Sequence, residues 1–92
     1  MKSVIQFEKE CYICGRTTNL HVHHLLHGTA NRKLSDKYGY WVYLCVEHHV
    51  GNNGVHQKSE LDMKFKQLAQ KHYEKHRGSR QDFINEFGKS FL

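Results

Sequence analysis

Residues 40–49 read Tyr40-Trp41-Val42-Tyr43-Leu44-Cys45-Val46-Glu47-His48-His49. The run from Tyr40 to Leu44 is aromatic and β-branched, which predicts a strand. A short helix is predicted to start near Cys45 or Val46. It cannot run far, because Gly51-Asn52-Asn53-Gly54 is a strong turn signal. Cys45 and His48 stand at i and i+3 at this junction, and Cys11-Tyr12-Ile13-Cys14, followed by Gly15, repeats the spacing. Zinc takes four tetrahedral ligands drawn from thiolate and imidazole, and pairs with this spacing can share one ion. One zinc on Cys11, Cys14, Cys45 and His48 would tie the N-terminal turn to the start of the short helix. Such a staple suits a chain of 92 residues, which buries only a modest core. A rival ligand set is Cys11, Cys14, His23 and His27. It leaves eight residues between Cys14 and His23, against about twelve in a C2H2 finger, and it leaves Cys45 and His48 idle.

Leu20, Val22 and the Leu25-Leu26 pair predict a strand before this junction, carrying His21, His23 and His24. Gly28 to Tyr38 is polar and reads as a loop. After Gln57 the chain turns helical. Leu61, Phe65, Leu68 and His72 recur at i, i+4, i+7 and i+11, widened by Ala69, Tyr73 and His76, which predicts a helix over 59–76 with Gly78 as its stop. Ser79 with Asp82 makes a capping-box-like start to a second helix over 80–87, presenting Phe83, Ile84 and Phe87 before Gly88. Phe91 and Leu92 are expected to fold back onto the core. The expectation is one α+β domain over 1–92, with a cysteine- and histidine-rich part (1–56) and a helical extension (57–92).

The formal charge of +5 and a pI near 9.2 favour polyanionic partners, nucleic acid before anionic membrane. No apolar run approaches the length of a membrane span. Residues 1–10 lack the apolar stretch and small-residue cleavage site of a signal peptide, so a cytoplasmic location is expected. Three cysteines cannot all pair internally, which favours a metal over disulfides. Seven of the nine histidines lie between His21 and His56. Neighbouring strand residues point to opposite sides, so His23 and His24 can take different tasks, as can His48 and His49 at the helix start. His56 follows a turn that can return it beside His49. Metal-assisted phosphodiester hydrolysis needs such a division: a cation on the scissile phosphate and a neutral imidazole to deprotonate water.

Cys-x2-Cys, then Leu20-His21-Val22-His23-His24-Leu25, then Leu44-Cys45-x2-His48-His49, resembles the HNH or ββα-metal endonucleases, in particular the short HNH proteins of bacteriophages and prophages. The run from Ala30 to Gly39, the Gly54-Val55-His56 element and the C-terminal 82–92 segment are similar to that group too. The resemblance implies a zinc-stapled ββα-metal core, with His24 as general base and His23 and His49 as ligands of one catalytic divalent metal. His56 is implied as a further ligand or phosphate contact. Zn2+, Ni2+ or Co2+ suits imidazole ligands, with Mn2+ and Mg2+ as further candidates. Arg32 and Lys33 are implied as contacts to DNA, the expected partner, in the cytoplasm of a bacterial host. One departure concerns the family's central Asn, which orients the loop carrying the base. Here Gly39-Tyr40-Trp41 stands at that point, and Asn31 is the nearest candidate. That departure favours the rival reading, a non-catalytic zinc module that binds DNA or protein. His21 and His27 read as surface residues or partners of ligands, and His72 and His76 as part of a helix face.

Overall fold

A computed structural model of the protein describes residues 2–92. The element order is β1 (Leu20–His24), α1 (Thr29–Tyr38), β2 (Trp41–Cys45), α2 (Val46–His49), α3 (Ser59–His76) and α4 (Arg80–Phe87), an α+β arrangement around one two-stranded sheet. The strands are antiparallel, with Leu20 opposite Cys45, Val22 opposite Tyr43 and His24 opposite Trp41. A last backbone bond from Leu25 N–H to the Tyr40 carbonyl, 2.9 Å, carries the pairing past the strand ends. On the far edge of β2, Tyr12 N–H donates to the Tyr43 carbonyl at 2.8 Å, and the Gln6 side chain accepts from Tyr43 N–H at 2.8 Å. The edge is thereby covered, and the segment carrying Cys11 and Cys14 is laid beside the strand that ends in Cys45.

The core runs from the sheet to the two long helices: Leu25, Leu26, Tyr40, Val42, Leu44, Phe65, Ala69, Tyr73, Phe83 and Phe87 are buried together. The helical stripe read from the sequence buries Phe65, Ala69 and Tyr73, while Leu61 and Leu68 pack at its margin. Ser79 caps α4 as its spacing predicts, accepting from Asp82 N–H while the Asp82 carboxylate accepts from Ser79 N–H. Tyr38 and Tyr73 hydroxyls both donate to the carboxylate of Glu86, which ties α1, α3 and α4. Phe91 folds back as expected, its N–H donating to Gln70 Oε1 at 2.7 Å. Leu92 does not, and stays exposed. No helix among the described residues is long and apolar enough to cross a membrane.

The segment read as a loop, 28–38, is instead the helix α1. Its one fully buried residue is polar, and only Leu34 and Tyr38 pack against the core, so its apolar stripe is short. Ser35 is fully buried, donating to the Leu26 carbonyl at 2.7 Å and accepting from Leu26 N–H at 3.3 Å. Asn31, one turn earlier, donates to the Phe87 carbonyl at 3.1 Å. Gly39 ends the helix in the left-handed region (φ 77°), where a Cβ would stand 2.4 Å from the Lys2 carbonyl oxygen. Only glycine fits there. Ser35→Ala is predicted to cost about 1–3 kcal/mol, because it strands both polar groups of a buried backbone unit. Urea unfolding measures this, and an unchanged midpoint would contradict it.

Candidate metal centre

Cys11, Cys14, Cys45 and His48 converge at the junction of β2 and α2, each offering one ligand atom, with all four atoms within 4.8 Å of one another. Cys14 Sγ lies 3.8 Å from Cys45 Sγ, and His48 Nδ1 lies 3.7 Å from Cys11 Sγ and 3.3 Å from Cys45 Sγ. Zn–S of about 2.3 Å and Zn–N of about 2.0–2.1 Å generate a tetrahedron with edges of roughly 3.8 Å between sulfurs and roughly 3.5 Å between sulfur and nitrogen. The four groups are therefore positioned for a metal, and the three separations are compatible with a structural zinc. Cys11 and Cys45 are buried and Cys14 is exposed. Burial pushes the Cys11 thiol up, but hydrogen bonds from the backbone of Cys45, Cys14 and Ile13 outweigh it and bring the thiol down to about 6. The knuckle turn thus favours the thiolate, the form that binds metal, at Cys11. At Cys14 the lowering bond from the Arg16 backbone is outweighed by burial and by the Cys11 and Cys45 side chains, which raise the thiol.

A second group lies across α2. His23, His49 and His56 bring one ring nitrogen each within 4.8 Å of one another. His23 projects from β1 into the buried side, and His49 follows His48 on the one-turn helix α2. His56 is returned by backbone bonds from Val55 N–H to the His48 carbonyl (2.9 Å) and from His56 N–H to the His49 carbonyl (3.3 Å). Gly54 permits this approach, since a Cβ there would lie 2.8 Å from the His49 carbonyl carbon. His49 Nε2 and His56 Nε2 are 3.1 Å apart. Two nitrogens about 2.0–2.1 Å from one metal stand roughly 2.9 Å apart in octahedral geometry and roughly 3.3 Å apart in tetrahedral geometry. His23 Nε2 is, among the described residues, the one buried side-chain polar atom without a hydrogen-bond partner. An orphaned buried nitrogen is costly, and a cation shared with His49 and His56 would satisfy it. Burial, then the neighbouring His49 and His56, push the His23 ring down to about 3, so it is neutral and carries no proton for a metal to displace at neutral pH. Burial and the same kind of neighbours, His56 and His21, lower His49 as well.

The sequence reading of these side chains as two groups thus matches their placement. The rival set of Cys11, Cys14, His23 and His27 does not assemble: His23 faces His49 and His56, and His27 Nε2 bonds Asp62 Oδ1 at 2.9 Å. His21 has a closer part than surface exposure implied. Its Nδ1 lies 2.9 Å from His49 Nδ1, which occupies the nitrogen of His49 that does not face His56. Strand alternation signals this, because His21 and His23 share one face of β1. His24 points elsewhere and lies 3.4 Å through Nε2 from Asp36 Oδ1. Asn31 does not reach the segment after His24. Its amide is spent on α4, and Ser35 holds that segment instead.

A cleft of about 260 Å3 is lined by His23, His24, His27, Arg32, His49 and His56. A groove of about 670 Å3 shares His24, His27 and Arg32 with it and adds Gly28, Thr29, Lys33 and Asp36. The imidazoles thus open onto a surface carrying Arg32 and Lys33. No family model, curated protein or solved structure matches the chain.

With the second ion withheld, stability is predicted to fall with pH. The unfolded His23 takes up a proton near its ordinary value of about 6.5, whereas the folded ring resists until about 3. The stabilisation is complete above the unfolded value and is lost as pH falls from there towards 3. Urea unfolding at stepped pH should show the decline in the wild type and a flatter profile in His23→Gln. Equal slopes would contradict the assignment.

Proposed function

We propose that the chain is a metal-dependent endonuclease of the HNH, or ββα-metal, type that hydrolyses or nicks DNA phosphodiester bonds, encoded by a phage or mobile element and acting in the host cytoplasm. One observation carries this reading: three convergent imidazoles, one with an orphaned buried nitrogen, stand beside a fourth, His24, in a cleft that opens onto Arg32 and Lys33. A module that only binds needs the cysteine site. It gains nothing from the buried, unpartnered Nε2 of His23.

In this reading the cysteine site holds structural zinc, and β1, β2 and α2 form the ββα-metal core. His23, His49 and His56 hold the catalytic divalent metal, which when bound neutralises charge on the scissile phosphate and the leaving oxygen. His21, bonded to His49 Nδ1, leaves His49 Nε2 as the ligating nitrogen. His24 accepts a proton from water as the water oxygen bonds to phosphorus and the opposite P–O bond breaks. Arg32 and Lys33 hold flanking phosphates, which position DNA without reading its sequence. Ser35, through its two bonds to Leu26, serves where the family uses its central Asn.

Plasmid nicking with Ni2+, Zn2+, Co2+, Mn2+ and Mg2+ tests the proposal. His24→Ala should keep the affinity for the second metal and lower the nicking rate by roughly 10²–10⁴-fold, the usual contribution of a positioned base. His23→Ala should lose the second metal and retain the zinc. A protein that holds both metals and cuts no DNA would return the chain to the rival reading, a zinc-dependent binding module.

A further inference from the structure

We propose that Asp36 is the positioning partner of His24, holding the imidazole as its Nε2–H tautomer so that Nδ1 is the nitrogen that takes the proton from water. This rests on the reading of His24 as the base. Among the described residues Asp36 is the one hydrogen-bond partner of the His24 ring, at 3.4 Å between Nε2 and Oδ1. A carboxylate only accepts hydrogen bonds. The bond therefore requires hydrogen on Nε2 and leaves the Nδ1 lone pair free. The distance is long for a charge-assisted bond, and catalytic hydrogen bonds are often long before substrate binds.

Both partners sit on restrained backbone. His24 ends β1, paired with Trp41. Asp36 follows Ser35, whose buried hydroxyl binds both backbone polar groups of Leu26, two residues beyond His24. The Ser35 carbonyl also accepts from Tyr40 N–H at 2.8 Å, fixing α1 to the start of β2. The contact between ring and carboxylate is thus delivered by neighbours on two segments already bonded together. Side-chain exposure differs sharply, 16% for His24 and 66% for Asp36. A solvent-exposed carboxylate contributes little to stability. Its consequence is the orientation of a ring that is itself mostly buried, at the boundary between the cleft and the groove.

The experiment compares wild type, Asp36→Ala and, as a control on the same helix, Lys37→Ala. Imidazole nitrogen NMR on the zinc-loaded proteins reads the His24 tautomer. Nickel titration reads the affinity of the second site, and supercoiled plasmid with nickel reads the nicking rate. The expected result is Nε2–H at His24 in wild type and in Lys37→Ala. Asp36→Ala should show mixed tautomers and nick roughly tenfold more slowly, the low end of what losing an orienting partner of an active-site histidine costs. Its nickel affinity and thermal midpoint should stay unchanged. A wild-type His24 in the Nδ1–H form, or an Asp36→Ala protein with wild-type tautomer and rate, overturns the proposal. If the wild type itself fails to nick, the endonuclease reading falls, and the tautomer comparison still decides whether Asp36 sets the ring.

Discussion

The approach of Cys11 and Cys14 to Cys45 and His48 brings three sulfurs and a ring nitrogen into a shell with edges of 3.3–3.8 Å. Thiolates at that separation repel unless a cation lies among them, so this geometry is that of a metal site and gains cohesion from an ion. The sheet it anchors has two strands, and an isolated two-stranded sheet is marginal in water. The knuckle also lies along the free edge of β2, where Tyr12 N–H bonds the Tyr43 carbonyl. One cluster therefore closes the sheet edge, fixes the end of β2 and sets the direction in which α2 leaves.

The elements that the sequence made readable are those whose stability is written in apolar periodicity or in a local cap. The bounds of α3 and α4 follow from the Leu61-Phe65-Leu68 stripe and from Ser79 with Asp82. Helix α1 escaped because it is held by polar side chains. Asn31 and Ser35, one turn apart, face inward to meet backbone groups of Phe87 and Leu26. A periodicity of hydrogen-bonding residues looks like a loop to any reading that counts hydrophobic ones. Its left-handed Gly39 stop and the Leu34-Tyr38 pair packed on the core were the remaining signals.

The candidate site was legible to the same degree and for the same reason. Side chains that diverge at adjacent positions were separable from local geometry alone: His23 from His24 on a strand, His48 from His49 on a helical turn. The particular contacts between distant positions were not. Asp36 meets His24 across 12 positions and His21 meets His49 across 28. Only the antiparallel register and the fixing of α1 create those proximities.

The two groups positioned to hold a metal share one element. Helix α2 spans four residues, buries none of them and has no side-chain cap, so packing does little to hold it. Its first end is tethered through Cys45 and His48. Its far end is held by the return of Val55 and His56 onto the carbonyls of His48 and His49. His48 and His49 are consecutive, so whatever fixes the ring of one fixes the backbone of the other. An ion on Cys45 and His48 would therefore order the backbone of His49 as well. His23, by contrast, is placed by the pairing of β1 with β2. Two members of the histidine cluster, His49 and His56, are thus placed through α2, and the third, His23, through the sheet whose β2 strand ends in the cysteine cluster.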